Sequence, residues 1–144
     1  MQLNKYEKCY ECGSNDLTYG EIELTSKVGN HVVAQKALGY TCKNCGEQWF
    51  WIHELSVAEC RAAHQVFSTG ENISQGEIKF ARKALGLKVI DFARKICAPD
   101  DVVWDNDMTM LKVTPEIISK TTLLLDDQLK KLTVHDDKQE VVGV

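Results

Sequence analysis

Hydrophobic and polar positions along the chain fall into two regimes. Near the N-terminus Leu17, Tyr19, Ile22 and Leu24 come close to strict alternation, which predicts a strand over Leu17–Thr25. Ser26-Lys27-Val28-Gly29-Asn30 has turn chemistry, and His31–Leu38 reads as the returning strand. A short aromatic strand is expected over Gln48–Ile52. The period then becomes helical. Ser56-Val57-Ala58-Glu59 fits a capping box, with Leu55 and Cys60 as staple partners, and Cys60, Ala63, His64 and Phe67 share one face. Ser68–Asn72, containing Gly70, reads as a linker.

Beyond that linker the pattern stays helical. Ser74-Gln75-Gly76-Glu77 is a second capping box, flanked by Ile73 and Ile78 as staple. Phe80, Ala81, Ala84 and Leu85 continue this helix and Gly86 stops it. A short amphipathic helix is expected over Val89–Cys97, with Ile90, Ala93, Ile96 and Cys97 inward, and a third over Val102–Trp104. Thr114-Pro115-Glu116 is a strong helix start. Ile117, Thr121, Leu124, Leu125, Gln128, Leu129 and Leu132 keep one face for about five turns. Residues 133–144 lack such a face and read as a tail. The expected class is α+β: residues 1–70 form a small antiparallel sheet with a helix, and residues 71–132 an all-α unit.

Composition bounds what these elements can be. The chain has 144 residues, 44% hydrophobic and 26% charged, enough for one ordinary domain or two very small ones. Two small units each fall in the size range that usually needs a metal, disulfides or a partner surface. No apolar run approaches the roughly 18 residues that span a bilayer, and the polar start Met1-Gln2 suggests a cytoplasmic protein without membrane partners. The formal charge is −4, unevenly placed. Residues 71–100 hold six Lys/Arg against four Asp/Glu, and residues 101–144 hold five against nine. That balance neither supports nor excludes a nucleic acid.

The cysteines change the picture most. Cys9-x2-Cys12 and Cys42-x2-Cys45 are separated by 29 residues, and a glycine follows each pair. Two residues between thiolates let one tight turn present both sulfurs to an ion, and the glycine permits that turn. Two such knuckles around a hairpin predict one structural Zn2+ per chain in a closed tetrahedral site. Iron accepts the same four sulfurs, and two redox disulfides or buried apolar cysteines are the alternatives. Cys60 and Cys97 sit among aliphatic neighbours and read as core filling. His31, His53, His64 and His135 complete no second ligand set.

The order of modules carries a resemblance. Cys9-x-x-Cys12, the hairpin, Gly39-Tyr40-Thr41-Cys42-x-x-Cys45 and the helix from Ser56 precede Glu77–Leu87 and Ile90-Asp91-Phe92-Ala93, which resemble the opening of a phage-repressor-like helix-turn-helix. Together, over roughly residues 7–130, they resemble the MqsA/YgiT-type antitoxin and zinc-finger/helix-turn-helix transcriptional regulator family. The resemblance implies a cytoplasmic homodimer whose N-terminal zinc domain binds a toxin and whose C-terminal domain dimerises and binds operator DNA. The chain departs from the family's recognition helix. Lys88 and Val89 stand where Ser-Gln is usual, and Asp100–Asp107 contains four aspartates and no Arg, Lys or closing Gly. Such charge opposes approach to phosphates. Lys79, Arg82, Lys83, Lys88, Arg94 and Lys95 remain candidate backbone contacts, and Asn106 a candidate base contact.

The alternative is a non-enzymatic protein-binding or dimerisation module that has lost sequence-specific DNA readout. Trp49 and Trp51, on one sheet face by alternation, either dock such a partner or pack on the Ser56 helix. An enzyme is not expected: no Gly-Lys-Ser/Thr phosphate cradle exists, and the acidic cluster lacks the glycine and terminal glutamate of a calcium loop. The long Ile117–Leu132 face has little else to cover it, so it is expected to pack partly against a second copy.

Overall fold

The computed structural model describes residues 8–96 and 111–142, with side chains through residue 133. Cys97, the expected Val102–Trp104 helix, the Asp100–Asp107 stretch with Asn106, and the side chain of His135 lie outside the described residues. Strands β1 (Leu17–Val28), β2 (His31–Cys42) and β3 (Gln48–Phe50) form an antiparallel sheet in the order β1-β2-β3. Helices α1 (Ile52–Thr69), α2 (Gln75–Ala84), α3 (Val89–Lys95) and α4 (Pro115–Val142) follow.

The hairpin is longer than its alternation suggests. Ser26, Lys27 and Val28 belong to β1, and only Gly29 and Asn30 make the turn. Ser26 and Val28 are buried, so they continue the inward-facing series that the polar Ser-Lys pair disguises in the sequence. A two-residue turn needs positive φ at its first position, and Gly29 supplies φ 60°. At the other end β2 runs past Leu38 to Cys42, opposite Leu17.

Helix α1 begins at Ile52 rather than Ser56, with Trp51 in the N-cap position, so β3 stops at Phe50 and the Ser56–Glu59 capping box is not used. The first turn is held from the sheet instead, where the Leu38 amide donates to Glu54 Oε1 at 3.1 Å. The helix ends where Gly70 takes φ 67°. Its two sides serve two groups of side chains. Ala62 and Val66 pack with Val28 and Val33 of the hairpin. Ala63 and Phe67 pack with Ile78, Ala81, Phe92, Ile96, Leu111, Ile117 and Leu125. Phe67 and Phe92 are fully buried, each contributing roughly 1.5–3 kcal/mol of apolar burial. Ile73 and Phe80 touch both groups, so sheet and helices share α1 as a common wall.

The α2 start follows its capping box, with Ser74 and Glu77 bonded reciprocally. Leu85–Lys88 then forms a four-residue turn in which Gly86 takes φ 70°. On α3 the buried residues are Val89, Phe92 and Ala93, followed by Ile96, while Ile90 is only partly covered. The inward face is therefore rotated from the expected Ile90–Ala93–Ile96 one. Thr114 caps α4, its Oγ1 accepting the Ile117 amide at 3.2 Å. Ile117, Thr121 and Leu125 are buried, and the Thr121 hydroxyl is satisfied by Ile117 O at 2.8 Å. The helix continues to Val142, through the segment expected to be a tail. Among the described residues no helix is long and apolar enough to cross a membrane.

Candidate metal centre

The two knuckles repeat one backbone pattern. Gly13 N–H donates to Cys9 O at 2.9 Å, and Gly46 N–H to Cys42 O at 2.8 Å. In the opposite sense Cys9 N–H donates to Ser14 O at 2.7 Å and Cys42 N–H to Glu47 O at 2.9 Å. Gly13 and Gly46 have φ 77° and 81°, and a Cβ on either meets nothing within 4 Å. The glycines are thus required by conformation rather than by space. Lys43 N–H donates to Asp16 O at 2.9 Å and ties the second knuckle to the chain leaving the first.

This pairing gathers four sulfurs. Cys9 and Cys45 lie 3.7 Å apart, Cys12 and Cys42 3.6 Å apart, and all four are within 4.8 Å of one another. Tetrahedral zinc with Zn–S near 2.3 Å requires sulfurs about 3.8 Å apart. Spacing and donor set both fit a structural zinc site. Cys9 and Cys42, the first cysteine of each knuckle, are buried, whereas Cys12 and Cys45 are exposed. The Glu11 amide donates to Cys9 Sγ at 3.4 Å, and Asn44 Nδ2 to Cys12 Sγ at 3.5 Å.

The two exposed sulfurs are pushed in opposite directions. The Asn44 amide, helped by the Ser14 backbone and neighbouring sulfurs, holds the Cys12 thiol down at about 6. At Cys45 the Glu47 backbone amide favours the thiolate, but local desolvation beside the other three sulfurs and the bonds from them prevail and push it up to about 12. Four thiolates this close repel one another unless a cation sits among them. With four protein sulfurs filling a tetrahedral ion, no position stays open for water, so a bound Zn2+ organises the fold rather than activating a substrate.

Cys60 stands apart from this cluster. It is buried on α1, donates to Ala84 O at 3.3 Å, and burial raises its thiol to about 11. His31 and His64 serve contacts between elements. His31 Nε2 is 3.1 Å from Asn72 O and 3.6 Å from Glu77 Oε2, while His64 lies 3.4 Å from Ser68 Oγ and 3.9 Å from Asp126.

Beside the knuckles, sequence reasoning singled out Trp49 and Trp51 and missed the tyrosines that complete their cluster. Tyr19, Tyr40 and Trp49 stand abreast across the three strands. Tyr40 stacks on Trp49 with centroids 5.4 Å apart, and Trp51 meets Tyr40 edge-on at 6.3 Å. Tyr10, 61% exposed, packs edge-on against Trp49 at 5.2 Å, and its hydroxyl donates to Glu47. The missed signal was the register: only the pairing of Tyr19 and Trp49 with Tyr40 makes one face of them.

The basic candidates occupy α2 and α3. Lys83, Lys88, Arg94 and Lys95 are exposed and Lys79 is half-buried. Arg82 is committed to the fold, its Nη1 donating to Leu87 O at 2.8 Å across the α2–α3 turn. Among the described residues, a four-cysteine site at the base of an antiparallel sheet, joined to helices α1–α4, defines a metal-binding module with a helical bundle. No protein-family model, no curated protein and no solved structure matches the chain.

Proposed function

We propose that this chain is a divergent, zinc-stabilised regulator of the MqsA/YgiT type that binds operator DNA as a dimer and holds a partner toxin through its N-terminal domain. The observation that carries the DNA reading is the α2–turn–α3 unit. Two short helices are joined by a four-residue turn containing Gly86, with Ile78, Ala81 and Phe92 inside and Lys83, Lys88, Arg94 and Lys95 outside. Exposed cations on such a unit suit phosphate contacts, which fix position on a duplex without reading its sequence. The zinc site's role is to hold the sheet against α1, the wall on which α2 and α4 also pack.

A mobility-shift titration on the promoter of the chain's own gene tests this. Salt-sensitive binding that weakens when Lys83, Lys88, Arg94 and Lys95 are neutralised supports it, while no shift at low salt removes the DNA reading. Arg82 is a poor choice of variant because its loss also opens the α2–α3 turn.

The Tyr10–Trp49 edge favours a second reading, a protein-binding module without DNA readout. A part-exposed aromatic face beside a rigid metal site suits a protein partner. Tyr10→Ala together with Trp49→Ala separates the two readings. Loss of a co-purifying or genetically adjacent partner with DNA binding unchanged assigns that face to the partner.

A further inference from the structure

The two knuckles place their cysteines alike. In each, the first is turned inward and the second outward: Cys9 and Cys42 are buried, whereas Cys12 and Cys45 are exposed. Gly13 and Gly46, which follow the outer cysteines, have open space around them, so the outer side of each knuckle borders solvent. Each outer sulfur lies against the inner sulfur of the other knuckle. Cys12 is 3.6 Å from Cys42, and Cys45 is 3.7 Å from Cys9. The four ligands therefore form two pairs, each with one sulfur open to small solutes and one behind it.

We propose that this site responds to hydroperoxides, which oxidise Cys12 and Cys45 and leave two disulfides across the knuckles, Cys12–Cys42 and Cys9–Cys45, in place of the zinc. Coordination keeps all four sulfurs as thiolates, the nucleophilic form. An outer thiolate attacks one peroxide oxygen and the O–O bond breaks. Hydroxide leaves and takes up a proton as water, and the sulfur, two electrons poorer, becomes a sulfenic acid. The inner thiolate of the pair then attacks that sulfur, the S–O bond breaks, and a second hydroxide leaves as water. Each disulfide thus consumes one peroxide and two protons and yields two waters. After the first, two thiolates remain, too few to close a tetrahedral site.

The backbone favours pairing across the knuckles over pairing within them. Each knuckle is a turn closed by two backbone bonds, Gly13 to Cys9 and Cys9 to Ser14 in one, Gly46 to Cys42 and Cys42 to Glu47 in the other. A disulfide inside either turn has to distort those bonds. A rigid shift of one knuckle toward the other brings the crossed sulfurs to the about 2.05 Å of a disulfide and leaves both turns intact. Tyr10 spans the joint that moves: it sits between Cys9 and Cys12 in the chain, packs on Trp49 at 5.2 Å and donates to Glu47. Oxidation therefore reshapes the aromatic face beside the site. The inference rests on the zinc assignment and is independent of DNA binding.

The test treats the purified, zinc-loaded chain with excess hydrogen peroxide in the presence of a chromogenic zinc chelator. Bound zinc is expected to fall from one per chain to none, and a dithiol reductant with added zinc is expected to restore it. Peptide mapping without reduction, at acid pH to prevent exchange, should find Cys12–Cys42 and Cys9–Cys45. Dimedone present during oxidation should mark Cys12 or Cys45, and tryptophan fluorescence should change in step with zinc loss. A zinc-loaded chain that keeps its metal in excess peroxide overturns this inference alone. So do disulfides within the knuckles, Cys9–Cys12 or Cys42–Cys45, or a dimedone mark on Cys9 or Cys42. A chain that holds no zinc at the outset overturns the metal assignment along with it.

Discussion

Glu77 Oε2 accepts the backbone amide of Asn30 at 2.8 Å, joining the first turn of α2 to the tip of the β1–β2 hairpin. The same carboxylate closes the capping box, taking the Ser74 amide at 2.9 Å and the Ser74 hydroxyl on Oε1. It is fully buried, so each of these bonds replaces water that the group has lost. Glu77→Ala leaves two backbone amides without an acceptor and is expected to cost roughly 2–4 kcal/mol in urea unfolding. Glu77→Gln is also expected to destabilise, because an amide NH2 presents donors where donors already point. Wild-type midpoints for both variants would contradict this role.

The same contact sets an acid limit. Burial drives the Glu77 carboxyl upward, but the bonds from Ser74 and Asn30 outweigh it and hold the group below the ordinary 4.5. A depressed folded-state value stabilises the fold above the unfolded value, and that contribution is lost as pH falls through the folded one. Stability attributable to Glu77 should therefore be level above about 4.5 and decline below it. Urea midpoints against pH check this, and the acid slope should be shallower in Glu77→Gln.

Gly29 faces the other side of this junction. A Cβ there would lie 2.3 Å from Glu77 Oε2 and 2.8 Å from the Glu77 backbone nitrogen, at a φ of 60°. Gly29→Ala must displace the hairpin tip from α2 and is expected to cost roughly 2–4 kcal/mol. Gly86 has a similar φ of 70° but open space around it. Gly86→Ala carries only the conformational term, about 1–2 kcal/mol. Equal losses for the two variants would remove the steric argument.

Cys60 should be chemically silent. With its thiol raised to about 11 by burial, it is protonated at neutral pH and shielded from reagents. Iodoacetamide on the metal-loaded native chain should spare Cys60, and unfolding should expose it. Rapid native labelling at Cys60, located by peptide mapping, would contradict its placement between α1 and Ala84.

The metal site was the most legible part of the sequence, because Cys-x2-Cys-Gly encodes its own local geometry. Each knuckle closes through bonds spanning four or five residues. The Ser74–Glu77 box and the Thr114 cap were legible for the same reason. What escaped depends on distant partners. The Ser56–Glu59 box was as good a local signal as Ser74–Glu77, yet α1 starts earlier because Glu54 finds the Leu38 amide across the sheet. Ser26-Lys27 reads as turn chemistry because the cover on the Ser26 and Val28 face of the hairpin comes from Ala62 and Val66 of α1, far along the chain, while Lys27 points outward. The second role of Glu77 depends on where the hairpin tip lands, which no local pattern encodes.

The central claim is that Cys9, Cys12, Cys42 and Cys45 hold one zinc ion on which the sheet depends. Metal analysis of the purified chain, paired with circular dichroism during titration with a strong chelator, tests it most directly. The expected result is one zinc per chain, with the hairpin signal lost as the metal is withdrawn and recovered when zinc is returned. A chain that purifies without metal and keeps its sheet in excess chelator would contradict the account.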